Sequence, residues 1–207
     1  MNALRRYTNL PAALAMLGSK SITLLPPDSW DDLNDKRLLE TYKTASNLKS
    51  ILCLCFAETA ETYHHWKVFA SGSDGVCIVF YKQRLLQDLD RAKSQVVPRK
   101  VTYLSVDDLR TKEPSLADLP FSKRVAYARE EEFRLLWTSS TEKALTKNFK
   151  FSREAIDRIV INPWLHPSLV KAVEKSILSI PDFSNLKVKQ SKVTDGPAWK
   201  RLAEKFA

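Results

Sequence analysis

The chain has 207 residues, of which 44% are hydrophobic and 28% are charged. This balance is typical of a folded globular protein and excludes a disordered one. No apolar run reaches the roughly eighteen residues that span a membrane, and the N-terminal apolar patch is short and broken by Pro11, so we expect neither a membrane segment nor a signal peptide.

The predicted elements follow the chain with few interruptions. Period-2 and continuous apolar patterns predict strands near Tyr7 and at residues 21–25, 50–57, 76–81, 96–105, 132–137, 156–161 and 186–193. Helical spacing predicts helices at residues 10–18, 38–45, 61–70, 85–89, 121–128, 167–177 and 199–206. There is no internal repeat and no dividing linker, so residues 1–207 are expected to form a single α+β domain. We expect a mixed, largely antiparallel sheet packed with helices.

Three short segments need separate interpretation. Asn9 or Thr8 is placed to cap the first helix, and Gly18 to end it. Residues 71–75 contain two glycines but lack the spacing and the Lys-Ser/Thr of a phosphate loop, which predicts a tight helix-to-strand connection instead. Asn34 and Asp35 fit a cap for the second helix.

The cysteines and the net charge bear on location and partners. Three cysteines, Cys53, Cys55 and Cys77, are an odd number that indicates buried thiols in a reducing, cytoplasmic compartment. Their spacing to His64 and His65 is not that of a zinc site, so no metal is expected. The net charge of +9 is explained by solubility or by a phosphate-bearing partner, a nucleotide or nucleic acid.

The most informative segment is residues 130–134, where a polar run turns into an apolar one. In extended backbone Glu130, Glu132 and Arg134 would share one face. Two carboxylates and a guanidinium on one face form a polar site with its own counter-ion. An exposed strand with an ordinary ion pair would have the same pattern.

The order of motifs resembles a bacterial family, domain of unknown function 2971, over nearly the whole chain. The matching residues are Arg6-Tyr7, Asn34-Asp35, Cys55-Phe56, Trp66 with Phe69, Gly75-Val76-Cys77-Ile78-Val79-Phe80, Val101-Thr102-Tyr103 and Glu130-x-Glu132-x-Arg134.

This chain departs from the family pattern in two places. Leu33 and Lys36 replace Phe and Pro around the Asn-Asp pair, and Phe69 replaces Tyr. If the missing tyrosine hydroxyl is needed for ligand binding, this member is altered at that site. The family name supplies no function.

A looser organisational similarity does imply one. A basic-aromatic first strand, a capped helix and a late acid at a strand start are similar to ADP-ribosyltransferase folds. The similarity implies NAD as co-substrate, with Glu132 stabilising the sugar cation and Glu130 orienting the acceptor. It implies that Arg6 binds the pyrophosphate and that Tyr7 or Trp66 stacks on a ring. Arg134 is expected to bind the cofactor or, as a structural partner, to hold Glu132.

Three functions stay open at this point. The first is an NAD-dependent ADP-ribosyltransferase-like enzyme, a toxin or phage-defence effector that modifies nucleic acid or protein. The second is a non-catalytic module of the same fold that binds nucleic acid or a protein, which the lost hydroxyl at Phe69 favours. The third is a metal-dependent hydrolase or nuclease, for which the sequence lacks a convincing ligand set.

Overall fold

A computed structural model describes residues 3–206. Its helices and strands, in chain order, are β1 Ala3–Asn9, α1 Leu10–Ser19, β2 Ser21–Leu24, α2 Leu33–Ala45, β3 Ser50–Ala57, α3 Tyr63–Phe69, β4 Gly75–Tyr81, α4 Lys82–Arg91, β5 Val97–Lys100, β6 Thr102–Leu104, α5 Val106–Thr111, β7 Ser122–Arg124, β8 Glu132–Ser139, β9 Lys147–Lys150, β10 Ile156–Ile161, α6 Pro167–Leu178, β11 Lys187–Gln190 and α7 Pro197–Ala203. Within these residues no helix combines the length and apolar character needed to cross a membrane.

The described chain forms two compact units. The first unit comprises residues 3–20, 60–84 and 152–206, and its strands follow the order β11-β10-β4-β1. The β1–β4 and β4–β10 pairs are antiparallel, and the β10–β11 pair is parallel. The single-domain organisation of residues 1–207 stays a prediction.

The second unit comprises residues 21–59 and 85–151. Its strands β3, β8 and β5 pair antiparallel in that order, and β2 pairs antiparallel with β9. The short β6 and β7 pair in parallel. Helices and a mixed, largely antiparallel set of strands therefore confirm the predicted α+β class.

Each unit has its own apolar core. In the first unit Leu4, Leu17, Ile78 and Ile159 are fully buried. In the second, a cluster is formed by Leu39, Ile51, Cys53, Phe121 and Leu136. Apart from Phe121, these positions lie on the helical stripes and apolar strands that the sequence predicts, because burial of those faces provides the main driving force for folding.

The first helix begins as predicted and ends one residue later than predicted. Asn9 caps α1, since its side-chain oxygen accepts a hydrogen bond from the Ala12 N–H at 2.8 Å. The helix passes through Gly18 and ends at Ser19, where Lys20 adopts the left-handed conformation with φ 46°. The expectation that Gly18 ends the helix was wrong because Lys20 takes the left-handed conformation that a C-terminal glycine usually supplies.

The helix expected at residues 121–128 is absent. This segment contains β7, paired with β6, and a 3-10 turn at Val125–Glu130. The apolar spacing did not mark a buried stripe, since Phe121 is 3% exposed but Val125 is 52% exposed. Glu131, with φ 42°, ends the turn and is followed at once by β8.

Other boundaries differ by smaller amounts. The strand expected at residues 96–105 divides into β5 and β6, and α5 and β9 form at residues 106–111 and 147–150, where no element was expected. Helix α3 begins only at Tyr63, because Thr62 caps it by accepting from the His65 N–H. Phe69, expected to face inward, is 40% exposed.

Candidate functional site

The first unit contains a cavity of about 370 Å³. Its walls are Arg6, Tyr7, Thr8 and Asn9 at the end of β1 and residues of the 69–75 segment. The volume lies in the range of small-molecule sites, roughly 300–1,000 Å³. We call this space the β1 cavity.

The β1 cavity lies beside the start of α1, but that helix end has few donors for an anion. The Leu10 N–H donates to the Asp74 carbonyl at 2.9 Å, Pro11 has no N–H, and the Ala12 N–H is capped by Asn9. The first-turn N–H groups at these positions are therefore already used. Arg6 is the lining residue with a cationic side chain, so an anionic ligand would depend on it.

Tyr7 is among the residues that line the cavity, and its ring packs against other rings. Its ring stacks on His65 with centroids 5.4 Å apart, and Trp66 meets it edge-on at 5.2 Å. Tyr7 is 5% exposed, and burial raises the pKa of its hydroxyl, which therefore stays protonated. Trp66 is fully buried and packs against Tyr7. A direct contact of Trp66 with a ligand stays a prediction.

The predicted acids lie in the second unit, in a buried group of charges. We call it the acid–base cluster, and its members are Asp35, Lys123, Glu130, Glu132 and Arg134. The three carboxylates and the Arg134 guanidinium are each less than one-tenth exposed. A solvent-exposed strand face with an ordinary ion pair, the alternative from the sequence, is therefore excluded.

Arg134 is the centre of the acid–base cluster. Its Nε donates to Glu132 Oε1 at 2.7 Å, and its two terminal nitrogens donate to the two oxygens of Asp35 at 2.9 and 2.7 Å. A further bond of 2.7 Å reaches the Pro120 carbonyl. The alternation of Glu132 and Arg134 in β8 allows the first bond. The bidentate pair fixes the guanidinium plane.

Lys123 lies close to all three carboxylates of the cluster. Its ammonium donates to Glu130 Oε2 at 2.6 Å and to Glu132 Oε2 at 3.3 Å, and it lies 3.9 Å from Asp35 Oδ2. Glu130 precedes β8, in the 3-10 turn, yet its carboxylate contacts the same lysine as Glu132.

The pKa values of the three carboxylates in the cluster shift in different directions. Burial raises the pKa of Glu132, but Arg134 and Lys123 outweigh it and lower the pKa to about 2. Burial prevails at Asp35 and at Glu130, where it raises the pKa despite the nearby Arg134 and Lys123. If all were ionised, three carboxylates would face two cations, so raised pKa values at two of them relieve the excess negative charge.

This arrangement limits what Glu132 can do chemically. Its pKa of about 2 keeps it ionised at neutral pH, so it cannot donate a proton as a general acid. It can accept a hydrogen bond or stabilise a developing positive charge. Its Oε2 accepts the longer 3.3 Å bond from Lys123, and the Cys55 thiol also hydrogen-bonds to this carboxylate. A carboxylate oxygen can accept more than one hydrogen bond, so these donors do not exhaust its acceptor capacity.

Sequence reasoning missed two members of the cluster. Lys123 is one of 33 lysines and arginines, and nothing in its neighbourhood distinguishes it. Asp35 was expected to cap α2, but Asp32 is the cap and accepts from the Asn34 N–H at 3.0 Å. Asp35 therefore lies inside the helix with its carboxylate available to Arg134.

The predicted site residues fall into two groups. Arg6 and Tyr7 line the β1 cavity and Trp66 packs behind Tyr7, all in the first unit. Glu130, Glu132 and Arg134 meet in the acid–base cluster of the second unit. A shared site for Glu132 and the opening segment stays a prediction. Among residues 3–206 no three His, Cys, Asp or Glu side chains are grouped to hold a metal ion.

No family model matches the chain, and no curated protein matches it in sequence. The resemblance to domain of unknown function 2971 therefore stays a prediction.

The similar solved structures include DarT of Thermus sp. 2.9. The complex with ADP-ribosylated ssDNA has a TM-score of 0.48 and 10% identity over 92% of this chain and 94% of DarT. The NAD⁺ complex has a TM-score of 0.46 and 11% identity, and the carba-NAD⁺ complex 0.44 and 10%, each over 92% of this chain and 96% of DarT. At TM-scores below 0.5 this likeness assigns neither a fold family nor an activity to the chain.

Proposed function

We propose that the chain is an NAD-dependent ADP-ribosyltransferase-like enzyme that binds the dinucleotide at the β1 cavity. The observation that carries the proposal is the cavity itself, whose lining residues include Arg6, Tyr7 and Phe69. A dinucleotide carries a diphosphate that an arginine side chain can bind and flat rings that aromatic side chains can stack on.

Glu132 is the acid in this proposal. Cleavage of the bond between nicotinamide and ribose creates a cation that resembles an oxocarbenium ion, and an ionised, rigid carboxylate stabilises it. The pKa of about 2 and the bond from Arg134 provide a carboxylate of this kind. Arg134 is then a positioning residue, and Glu130 remains assigned to the acceptor.

The net charge of +9 supports an acceptor that carries phosphates. Nucleic acid is therefore the first acceptor to test in a turnover assay, and protein is the second.

The first experiment measures NAD binding by isothermal titration calorimetry. Arg6→Met should weaken binding about tenfold or more, because hydrogen bonds to charged groups contribute roughly 1.5–3 kcal/mol each. Arg84→Met, an exposed arginine that does not line the cavity, is the matched control and should bind as the parent does. Folded protein that does not bind NAD would contradict the proposal.

The second experiment measures turnover of labelled NAD with nucleic acid or protein as acceptor. Glu132→Gln keeps the shape of the side chain and removes its charge, so we expect a rate loss on the order of a hundredfold. Circular dichroism must show that the variant is folded. Equal turnover by the variant and the parent would remove Glu132 from the mechanism.

A second candidate, a non-catalytic nucleic-acid-binding module, has one observation in its favour. Both oxygens of Glu132 already accept hydrogen bonds inside the cluster, as a purely structural carboxylate would. This candidate predicts binding to single-stranded DNA or RNA that weakens steeply with salt and is unchanged by Glu132→Gln. Fluorescence anisotropy at 50 and 200 mM salt distinguishes it from the enzyme.

A further inference from the structure

Asn162 follows β10 and is fully buried, although its side chain is polar. Its amide nitrogen donates to two carbonyl oxygens of a neighbouring loop, Ala70 at 3.0 Å and Gly72 at 2.9 Å. Its side-chain oxygen accepts from the Trp164 N–H at 2.7 Å. A fully satisfied buried amide costs little to bury and fixes the groups that it contacts.

The backbone of Asn162 adds to this attachment. Its N–H donates to the Gly75 carbonyl at 3.0 Å, so one residue contacts the loop at three points between Ala70 and Gly75. The backbone carbonyl of Asn162 is bonded as well. The side-chain amide of Gln190, a residue of β11, donates to it at 3.2 Å.

Gly75 allows the close approach. A Cβ at this position would lie 2.4 Å from the Ala70 carbonyl oxygen and 2.9 Å from the Asn162 amide nitrogen. The φ of Gly75 is not positive, so the requirement for glycine arises from space alone. The loop and the amide are therefore packed against each other without room for another atom.

The same loop forms a wall of the β1 cavity. Ala70, Ser71, Gly72, Asp74 and Gly75 all line it, and residues 71–74 are exposed. Exposed loops of this kind are ordinarily mobile unless side chains fasten them. Asn162 does not line the cavity but contacts the residues that do.

We propose that Asn162 is a positioning residue that keeps the 70–75 loop in place, so that the β1 cavity exists before its ligand arrives. A cavity formed in advance avoids the cost of ordering its walls during binding. The ligand in this inference is NAD, which rests on the proposed function. The fastening of the loop is independent of the ligand.

The test begins with hydrogen–deuterium exchange of the loop amides in the protein without ligand. The Gly75 N–H donates to the Gly72 carbonyl at 3.0 Å, which the Asn162 amide also contacts, and it reports on the loop directly. We expect this amide to be protected in the parent. In Asn162→Ala and Asn162→Asp its exchange should accelerate at least tenfold. The aspartate keeps the shape but faces the two carbonyls with an oxygen in place of the donating NH₂.

Ile177→Val is the matched control, since Ile177 is fully buried in α6 of the first unit and lies outside the cavity lining. It lowers stability without removing the contacts to the loop, so the loop amides should exchange as in the parent. Equal loop exchange in the Asn162 variants and in this control would overturn the proposal. Rapid exchange of the Gly75 amide in the parent would also overturn the proposal, and this measurement needs no folded variant.

Binding separates this inference from the proposed function. With Asn162→Ala, the Kd for NAD should rise at least fivefold, and turnover should show a higher KM with kcat unchanged. If the parent does not bind NAD, the proposed function fails, while loop exchange still decides whether Asn162 holds the loop. Faster loop exchange with an unchanged Kd would overturn the claim that the held loop matters for the ligand.

Discussion

The burial of Arg134 makes Arg134→Met the sharpest test of the acid–base cluster. The substitution removes a fully buried guanidinium and keeps most of the side-chain volume. It leaves the carboxylates of Asp35 and Glu132 without their principal donor, because the four hydrogen bonds to Glu132, Asp35 and Pro120 all disappear.

Two separate arguments give the magnitude at neutral pH. Removing one partner of a buried ion pair typically costs about 3–5 kcal/mol. The pKa of Glu132 falls from the ordinary 4.5 to about 2, and a shift of that size corresponds to about 3.5 kcal/mol at roughly 1.4 kcal/mol per pKa unit. For a protein of this length, 3 kcal/mol lowers the melting temperature by about 6–12 °C.

The pH dependence of the loss has a definite sign. In the parent, Glu132 has a depressed pKa, so its contribution is complete above pH 4.5 and disappears as the pH falls towards 2. In Arg134→Met, burial should raise the pKa of Glu132, so the native state gains protons on acidification. The difference in unfolding free energy between parent and variant should therefore shrink between pH 7 and pH 4.

Urea unfolding followed by circular dichroism at pH 7 and pH 4 measures both effects. Arg110→Met is the matched control, because Arg110 pairs with Asp107 at 3.1 Å while both side chains are about 75% and 85% exposed. Its midpoint should not move measurably. An Arg134→Met loss below 1 kcal/mol, or a difference that grows on acidification, would refute the reasoning.

Two further predictions concern the glycines and the cysteines. Gly75→Ala places a Cβ 2.4 Å from the Ala70 carbonyl and should destabilise the protein by roughly 1–3 kcal/mol in thermal melts. Gly18→Ala meets nothing within 4 Å inside α1 and should stabilise it by about 0.5–1 kcal/mol; equal effects would contradict the packing at Gly75. Burial raises the pKa of the Cys53 and Cys77 thiols to about 12, so iodoacetamide at pH 8 should label them only after unfolding. Mass spectrometry that finds both labelled in the folded protein would refute their burial.

Local signals predicted most of the elements. The run at residues 50–57 became the buried β3, and Asn9 before Pro11 became the cap and first turn of α1. Both depend on interactions within a few residues, which the sequence displays directly. The segment at residues 121–130 was different, because its helical spacing competed with pairing between β7 and β6, and the pairing prevailed.

The acid–base cluster was predictable only where its members are neighbours in sequence. Glu132 and Arg134 are two residues apart in β8, so alternation alone brings them together. Asp35 is 99 positions from Arg134, and no local pattern marks that pair. The capping role expected at Asp35 was wrong because Asp32, three residues earlier, performs it. Charge balance would have been a useful signal, since two acids and one arginine on a buried face call for a further cation, which Lys123 supplies.

The β1 cavity was also difficult to predict, because its walls and their support come from residues far apart in the sequence. Its walls come from residues 6–9 and from the 69–75 segment, and Asn162 holds the second wall from a third stretch of chain. The sequence correctly predicted a tight loop at residues 71–75, but an asparagine after a strand is too common to indicate what it contacts. Gly75 carried the relevant information, because a glycine with an ordinary φ is needed only where another group lies against its Cα. At Gly75 those groups are the Asn162 amide and the Ala70 carbonyl. The sequence suggests a turn residue at this position, but its packing makes it part of the cavity wall.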